Sequence, residues 1–201
     1  MSDTNLQNLP DNLPVPEDDG ASDHLPGRIL PHLPLPSTSG EPVTLSGLRG
    51  RTVVYCYPMT GRPDRDLPEG WDLPEGWDTI PGARGCTPQS CGFRDHHGEI
   101  RGLGARVFGL SSQSTGYQRE AAERLGLPFE LLSDEGLAFA KSLNLPTFEA
   151  DGTTKIKRLT LVVDDGRIEK VFYPVFPPGE NAGEVAAWLS QHPRTAGLER
   201  T

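Results

Sequence analysis

The run Thr-Val-Val-Tyr-Cys-Tyr at residues 52–57 constrains the fold more than any other part of this chain. Arg51 precedes the run and Pro58 follows it, so its length is that of a strand rather than a helix. Its residues are β-branched, aromatic or otherwise apolar without alternation, which is typical of a strand that is buried on both faces. The run therefore predicts a buried central strand.

The remaining periodic segments predict an α/β protein. Strands are expected at 105–111, 159–164 and 167–173, and helices at 115–126, 133–144 and 182–193. Asp165-Gly166 is a hairpin turn between the last two strands, and Ser39-Gly40 predicts an N-terminal hairpin before the central strand. Strands alternating with helices, followed by a hairpin, indicate a layered structure with parallel crossovers and an antiparallel end.

The composition predicts one domain with appendages. Only 35% of the 201 residues are apolar, and 23 glycines and 20 prolines indicate that much of the chain is loop or tail. Residues 1–25 are acidic and polar, and we expect a mobile tail there. The domain is expected at 26–193, with a second tail at 194–201.

A duplicated hexapeptide lies inside the domain. Asp-Leu-Pro-Glu-Gly-Trp occurs at 66–71 and again at 72–77, within a loop of about 59–80. A six-residue period that occurs only twice is not a solenoid repeat. Paired Leu-Pro and Glu-Gly-Trp units are typical of turns in an exposed loop, and two tryptophans make a lid or docking surface the alternative interpretation.

Charge and hydropathy exclude several classes of protein. The formal net charge of −9 leaves no basic stripe for nucleic acid. No apolar run reaches about 18 residues, as a membrane-spanning helix requires. The first residues lack the features of a secretory signal. The chain also has an odd number of cysteines, three, which points to a reducing compartment. We therefore expect a cytoplasmic protein, without a membrane partner, in which a cysteine pair is catalytic or metal-binding rather than a static staple.

Cys86 and Cys91 are that pair. Together with His96 and His97 they are four candidate zinc ligands. All four would lie in one helix and its entry, and this spacing disfavours a metal site. A static disulfide is disfavoured by geometry. Residues five apart in a helix have Cα atoms about 8.7 Å apart, beyond the roughly 7 Å that a disulfide spans.

A redox role is the third interpretation of the pair, and the position of Cys86 in the predicted helix favours it. Thr87 is a candidate N-cap and Pro88 suits the first helical position, which places Cys86 at a helix N-terminus. Unpaired amides and the helix dipole favour a thiolate there, and Arg84 and Arg94 add positive charge. A thiolate is a nucleophile, so the local pattern points to redox chemistry at Cys86.

The sequence Gly-Cys-Thr-Pro-Gln-Ser-Cys-Gly-Phe-Arg-Asp at 85–95 resembles the active-site helix of peroxiredoxins of the bacterioferritin-comigratory, or Q-type, group. The segments at 35–58, 104–114, 126–135 and 157–168 are similar to the flanking strands and loops of that family. The resemblance covers about residues 27–190. It implies a thioredoxin-like fold with an N-terminal β-hairpin and, in this chain, a long loop insertion before the active-site helix.

The resemblance also implies roles for individual residues. Cys86 matches the peroxidatic cysteine, which attacks hydrogen peroxide or an organic hydroperoxide and becomes a sulfenic acid. Cys91 matches the resolving cysteine, which forms an intramolecular disulfide that a thioredoxin-like dithiol reduces. Arg158 matches the arginine that favours the thiolate and holds the peroxide, and Pro58 the proline that packs on the peroxidatic cysteine. A monomer without metal, haem or flavin is implied.

Two departures from the family pattern concern the site. The family has Thr or Ser three residues before the peroxidatic cysteine, where this chain has Ala83. Cys86 follows Pro58 by 28 residues instead of seven, because 21 residues are inserted. The missing hydroxyl is expected from Thr60 or Thr79 on either side of the insertion, with Thr60 preferred as a substrate-binding residue.

The third cysteine, Cys56, lies inside the apolar run. A small buried hydrophobe is the favoured interpretation, and a backup resolving thiol is the alternative.

Two other functions stay open. One is a thiol–disulfide oxidoreductase on the same fold, although that chemistry normally uses Cys-x-x-Cys, which is absent here. The other is a non-enzymatic binding module with a redox switch, docking through its tryptophans.

Overall fold

The computed structural model describes residues 9–62, 73–74 and 76–194. The strands are β1 (Pro34–Leu35), β2 (Val43–Thr44), β3 (Arg51–Cys56), β4 (Ala105–Ser111), β5 (Leu131–Ser133), β6 (Thr147–Ala150), β7 (Thr153–Ile156), β8 (Leu159–Asp164) and β9 (Arg167–Phe172). The α-helices are α1 (Cys86–Asp95), α2 (His97–Gly102), α3 (Thr115–Leu125), α4 (Ala138–Leu143) and α5 (Asn181–Gln191). Short 3₁₀ turns occupy Leu45–Gly47, Trp77–Thr79 and Pro178–Glu180.

The central sheet has five strands in the order β5-β4-β3-β8-β9. Strand β3 pairs parallel with β4 and antiparallel with β8, and all of its residues are buried. This confirms the predicted central strand. The predicted parallel crossovers and the antiparallel β8–β9 hairpin are confirmed as well, and so is the N-terminal β1–β2 hairpin.

Strand β3 divides the core into two layers because its side chains alternate. Val54 and Cys56 belong to the cluster on one face, which α4 covers with Phe139. Val53 and Tyr55 belong to the cluster on the other face, which α1 and α5 cover. The sheet is thus sandwiched between helices, as in thioredoxin-like proteins. Within the described ranges, no helix is long and apolar enough to cross a membrane.

The segment before residue 26 differs from the mobile tail expected from its composition. Leu25 is completely buried in the Val54 cluster. The Asp19 carboxylate accepts hydrogen bonds from Lys157 Nζ (2.7 Å) and from the Tyr173 hydroxyl (2.8 Å). Residues 9–25 therefore lie against the domain, because an acidic segment meets a cation and a phenol that flank strands of the domain. The ends of both predicted tails, 1–8 and 195–201, lie outside the described residues.

The helix expected at 133–144 is shorter than predicted. Ser133 belongs to strand β5, and the helix begins only at Ala138. The Asp134 carboxylate accepts from the amides of Phe139 and Ala140, at 3.0 and 2.8 Å. Asp134 thus satisfies the helix N-terminus from a position outside the helix, which the local sequence pattern does not distinguish from an earlier helix start.

Candidate active site

Helix α1 begins at a glycine that no other residue could replace without strain. Gly85 is the N-cap and has φ 106°, a left-handed conformation. A Cβ atom at Gly85 would lie 2.3 Å from Cγ of Pro178, far inside van der Waals contact. The close approach of the turn at Pro178–Glu180 fixes the entry of the helix and therefore the position of the next residue, Cys86.

The helix starts two residues earlier than the sequence predicts. Cys86 is its first residue, so Thr87 and Pro88 occupy the second and third positions rather than the cap and the first. Proline is tolerated there because its missing amide hydrogen would have no helical partner. The first helical bond runs from the Gln89 amide to the Gly85 carbonyl, at 3.1 Å. Both Cys86 and Cys91 lie in one continuous helix, as predicted.

The sulfur of Cys86 lies beside a buried guanidinium group. Arg158 Nη2 donates to Cys86 Sγ at 3.2 Å, and the two side chains are only 3% and 4% exposed, respectively. Arg158 directly precedes β8, the antiparallel neighbour of the central strand. A positive charge at this distance stabilises negative charge on the sulfur, more strongly in a water-poor site than in bulk water. The structure thus brings together the two residues that the resemblance paired.

A set of uncharged groups holds the guanidinium in place. Arg158 donates to the backbone carbonyl oxygens of Gly82, Ala83 and Arg84. It also donates to the side-chain oxygen of Gln89, a fully buried residue of α1. Among the described residues, none of these partners carries a negative charge, so the charge of Arg158 is not neutralised by a carboxylate.

A hydrogen bond to Asn181 holds the side-chain amide of Gln89 in place. Gln89 Nε2 donates to Asn181 Oδ1 at 3.1 Å, and that oxygen also accepts from the Thr160 hydroxyl at 2.7 Å. Asn181 opens α5, and Thr160 lies on β8. Local sequence patterns do not identify Gln89 or Asn181, because 92 residues separate them and only the fold brings them together.

Cys91 occupies a different environment on the same helix. Its side chain is half-buried, and its sulfur is not part of a disulfide in the described structure. Cys91 lies beside Arg94, whose pKa is raised, chiefly by a hydrogen bond to Asp95 and further by Cys91. Each of the two helical cysteines therefore has an arginine close to it, but only Cys86 has one that is fully enclosed.

The hydroxyl expected from Thr60 is engaged elsewhere. Thr60 is buried, and both its amide and its hydroxyl donate to Oε1 of Gln113, at 2.9 and 3.2 Å. The Thr79 hydroxyl donates to the Gly76 carbonyl at 2.7 Å. Pro58 is buried two residues after the end of β3, and its packing on Cys86 stays a prediction. In this structure, neither Thr60 nor Thr79 therefore takes the place of the hydroxyl donor of the family.

A small cavity of about 10 Å³ lies against Cys86. Its lining includes Met59, Leu73, Trp77, Arg84 and Thr87. Leu73 and Trp77 belong to the second copy of the duplicated hexapeptide, and Trp77 is only 3% exposed. The described part of this copy is therefore not an exposed loop, whereas the first copy at 66–71 lies outside the described residues.

Cys56 is a buried core residue, as predicted. It is completely inaccessible on β3, and burial raises the pKa of its thiol, with a further increase from the nearby Asp134 carboxylate. The thiol therefore stays protonated and unreactive at neutral pH.

Comparison with known proteins decides the family. The redoxin family model matches residues 14–187. The chain belongs to the redoxin family. This redoxin is 31% identical over 171 residues to peroxiredoxin Bcp of Escherichia coli K12, covering 83% of this chain and 96% of that protein. The resemblance to Q-type peroxiredoxins, a group of thiol-dependent peroxidases, is thereby confirmed.

Two further relatives define the extent of the likeness. The redoxin is 30% identical over 159 residues to the chloroplastic peroxiredoxin Q of Oryza sativa subsp. japonica, and it spans 63% of the length of that relative. The crystal structure of peroxidoxin BcpB from Mycobacterium tuberculosis matches with a TM-score of 0.64 and 24% identity, over 83% of this chain and 97% of that one. This structure supports the thioredoxin-like fold of the redoxin.

Proposed function

We propose that this redoxin is a peroxidase in which Cys86 is the nucleophile. The observation that supports this most strongly is the 3.2 Å contact between Arg158 Nη2 and Cys86 Sγ at a helix N-terminus. The thiolate sulfur attacks one oxygen of a peroxide, and the O–O bond breaks. Cys86 is oxidised to a sulfenic acid, and the leaving oxygen takes a proton and departs as water or an alcohol.

Arg158 acts on both reactants in this proposal. Its guanidinium stabilises the thiolate before the attack and the negative charge that develops on the leaving oxygen during it. The neutral partners of the guanidinium support this role, since a carboxylate partner would take up part of the charge. Gln89 contributes by orienting the group.

The oxidised enzyme is recycled through Cys91. The Cys91 thiol attacks the sulfenic sulfur, which forms a Cys86–Cys91 disulfide and releases water. In an intact helix the two Cα atoms lie about 8.7 Å apart, so α1 must unwind locally before the sulfurs can bond. A thioredoxin-like dithiol protein then reduces the disulfide by exchange, and is itself oxidised.

The disulfide step predicts a change in the helix that hydrogen exchange can measure. Reduced protein should protect the amides of residues 91–100, and oxidised protein should lose much of that protection. Equal protection in both states, with the disulfide verified by mass spectrometry, would contradict the unwinding step.

The substrates that we propose are hydrogen peroxide and organic hydroperoxides, and the protein works as a monomer in a reducing compartment such as the cytoplasm. Among the described residues, Val15 and Ile29 are the large apolar side chains that are exposed, and they do not form the extended patch of an obligate interface. A compartment rich in dithiols is required by the recycling step. Sedimentation of the reduced and oxidised protein tests the monomer.

The decisive experiment compares peroxide consumption by wild type, Cys86→Ser and Cys91→Ser, with thioredoxin and its reductase supplied. Cys86→Ser should abolish turnover, because a serine hydroxyl stays protonated. Cys91→Ser should still react once with peroxide but should lose recycling by thioredoxin. Turnover that persists in Cys86→Ser would move the nucleophile to another cysteine.

The same assay separates the two alternatives. A thiol–disulfide oxidoreductase would reduce protein disulfides while its Cys86 reacted slowly with peroxide. A non-enzymatic redox switch would consume one equivalent of peroxide and then stop, even with reductant in excess.

A further inference from the structure

The second copy of the duplicated hexapeptide forms one wall of the cavity at Cys86. The Trp77 ring packs with Met59 and Ala83 in an apolar cluster, and its centroid lies 5.8 Å from that of Phe148. Leu73 joins the edge of this cluster and lines the same cavity. The wall is thus a packed part of the domain, built from residues of the insertion.

The cavity behind this wall is small. Its volume of about 10 Å³ is close to the space that one water molecule needs. Hydrogen peroxide, with two heavy atoms, needs only slight adjustment of the lining. The alkyl or aryl group of a bulky hydroperoxide cannot enter until the Trp77 side chain moves, and this side chain is only 3% exposed. Moving it would also separate it from Phe148.

The departure at residue 83 is consistent with this wall. Ala83 is completely buried within the same apolar cluster as Trp77. A hydroxyl at that position would enter this apolar cluster, where burying a polar group costs free energy unless it finds a partner. The small methyl group of Ala83 instead fits the apolar cluster that forms this wall of the cavity.

We propose that Trp77, assisted by Leu73, selects peroxides by size: hydrogen peroxide reaches Cys86 readily, and bulky organic hydroperoxides are disfavoured. This inference rests on the proposed peroxidase function and narrows its substrate class. Steric exclusion outweighs the apolar attraction of the indole, because attraction requires space that a cavity of about 10 Å³ does not offer. Trp77 is a specificity-determining residue here, and Cys86 and Arg158 carry out the chemistry.

The test measures kcat/KM for hydrogen peroxide and for cumene hydroperoxide with dithiothreitol in excess. Trp77→Ala should raise the ratio of the cumene value to the hydrogen peroxide value by about tenfold or more, as expected when a steric block is removed from a binding pocket. Trp77→Phe keeps an aromatic wall and should change the ratio less. Leu73→Ala should move it in the same direction as Trp77→Ala, which keeps the test valid if Trp77→Ala folds poorly.

Trp188→Ala is the matched control. Trp188 lies in α5, stacks on His192 and does not line the cavity. The substitution should therefore leave the ratio within about twofold of wild type. An unchanged ratio in both Trp77→Ala and Leu73→Ala would overturn the proposal. A lower ratio would overturn it too, since Trp77 would then bind the organic group. Wild type that consumes neither peroxide would instead refute the peroxidase function on which the inference rests.

Discussion

Cys56 and Cys86 are both buried thiols, and they differ in what surrounds them. Cys56, on the central strand, is enclosed by apolar side chains with the Asp134 carboxylate nearby, and both raise the pKa of its thiol. Cys86 is almost as inaccessible, but a guanidinium group lies 3.2 Å from its sulfur, and Cys86 is the first residue of a helix. Burial alone makes a cysteine inert, whereas burial beside a fixed positive charge supports the nucleophilic role that we propose for Cys86.

The largest effect should come from removing that charge. Arg158→Ala should slow the reaction of Cys86 with peroxide by roughly 10²-fold or more, because it removes a charge-assisted donor at the developing negative charge. Stopped-flow measurement of sulfenic acid formation checks this. Arg158→Lys is the control, since it keeps the charge but loses the forked donors, and it should fall between wild type and Arg158→Ala. A rate within about twofold of wild type in Arg158→Ala would remove the arginine from the mechanism.

A smaller effect should follow from loosening the arginine without removing it. Gln89→Ala deletes the side chain that joins Arg158 to Asn181, so the guanidinium keeps its charge and its backbone partners but loses one fixed contact. We expect the peroxide step to slow by about tenfold, less than in Arg158→Ala, because misplacement costs less than loss of the group. Asn181→Ala should act in the same direction and more weakly, since it affects the arginine only through Gln89. A slower rate than that of Arg158→Ala would show that Gln89 has a role of its own.

Local sequence patterns predicted the parts of this site that depend on nearby residues. The continuous apolar run identified β3, and the capping pattern of Thr87 and Pro88 predicted a helix that carries both thiols. Arg158 carries no local signal of its function, and only the resemblance to the family assigned it. These predictions agree with the fold because strand burial and helix geometry are properties of short segments.

The parts that the sequence did not predict depend on distant contacts. The bond between Gln89 and Asn181 requires α1 and α5 to pack, and the wall at Trp77 requires the insertion to fold back on the domain. The composition of residues 9–25 is typical of a mobile tail, yet Asp19 bonds to a lysine and a tyrosine that flank strands of the domain. A pattern rich in proline, glycine and acidic residues does not reveal such partners, so these segments were predicted as loop or tail.

The smallest effect should come from Cys56, and it tests the other half of the comparison. Cys56→Ala should leave peroxide turnover within about twofold of wild type, because the thiol of Cys56 stays protonated and takes no part in the cycle. It should lower the free energy of unfolding by about 1 kcal/mol, because the substitution removes a single buried sulfur atom from a packed layer. Denaturant titration and the peroxidase assay measure the two quantities separately.

In the native protein Cys56 should also resist alkylation by iodoacetamide at pH 8, whereas denatured protein should react at all three cysteines. Rapid alkylation of native Cys56, or a loss of turnover in Cys56→Ala with stability retained, would show that this thiol is accessible and takes part in the cycle, and the contrast with Cys86 would then be wrong.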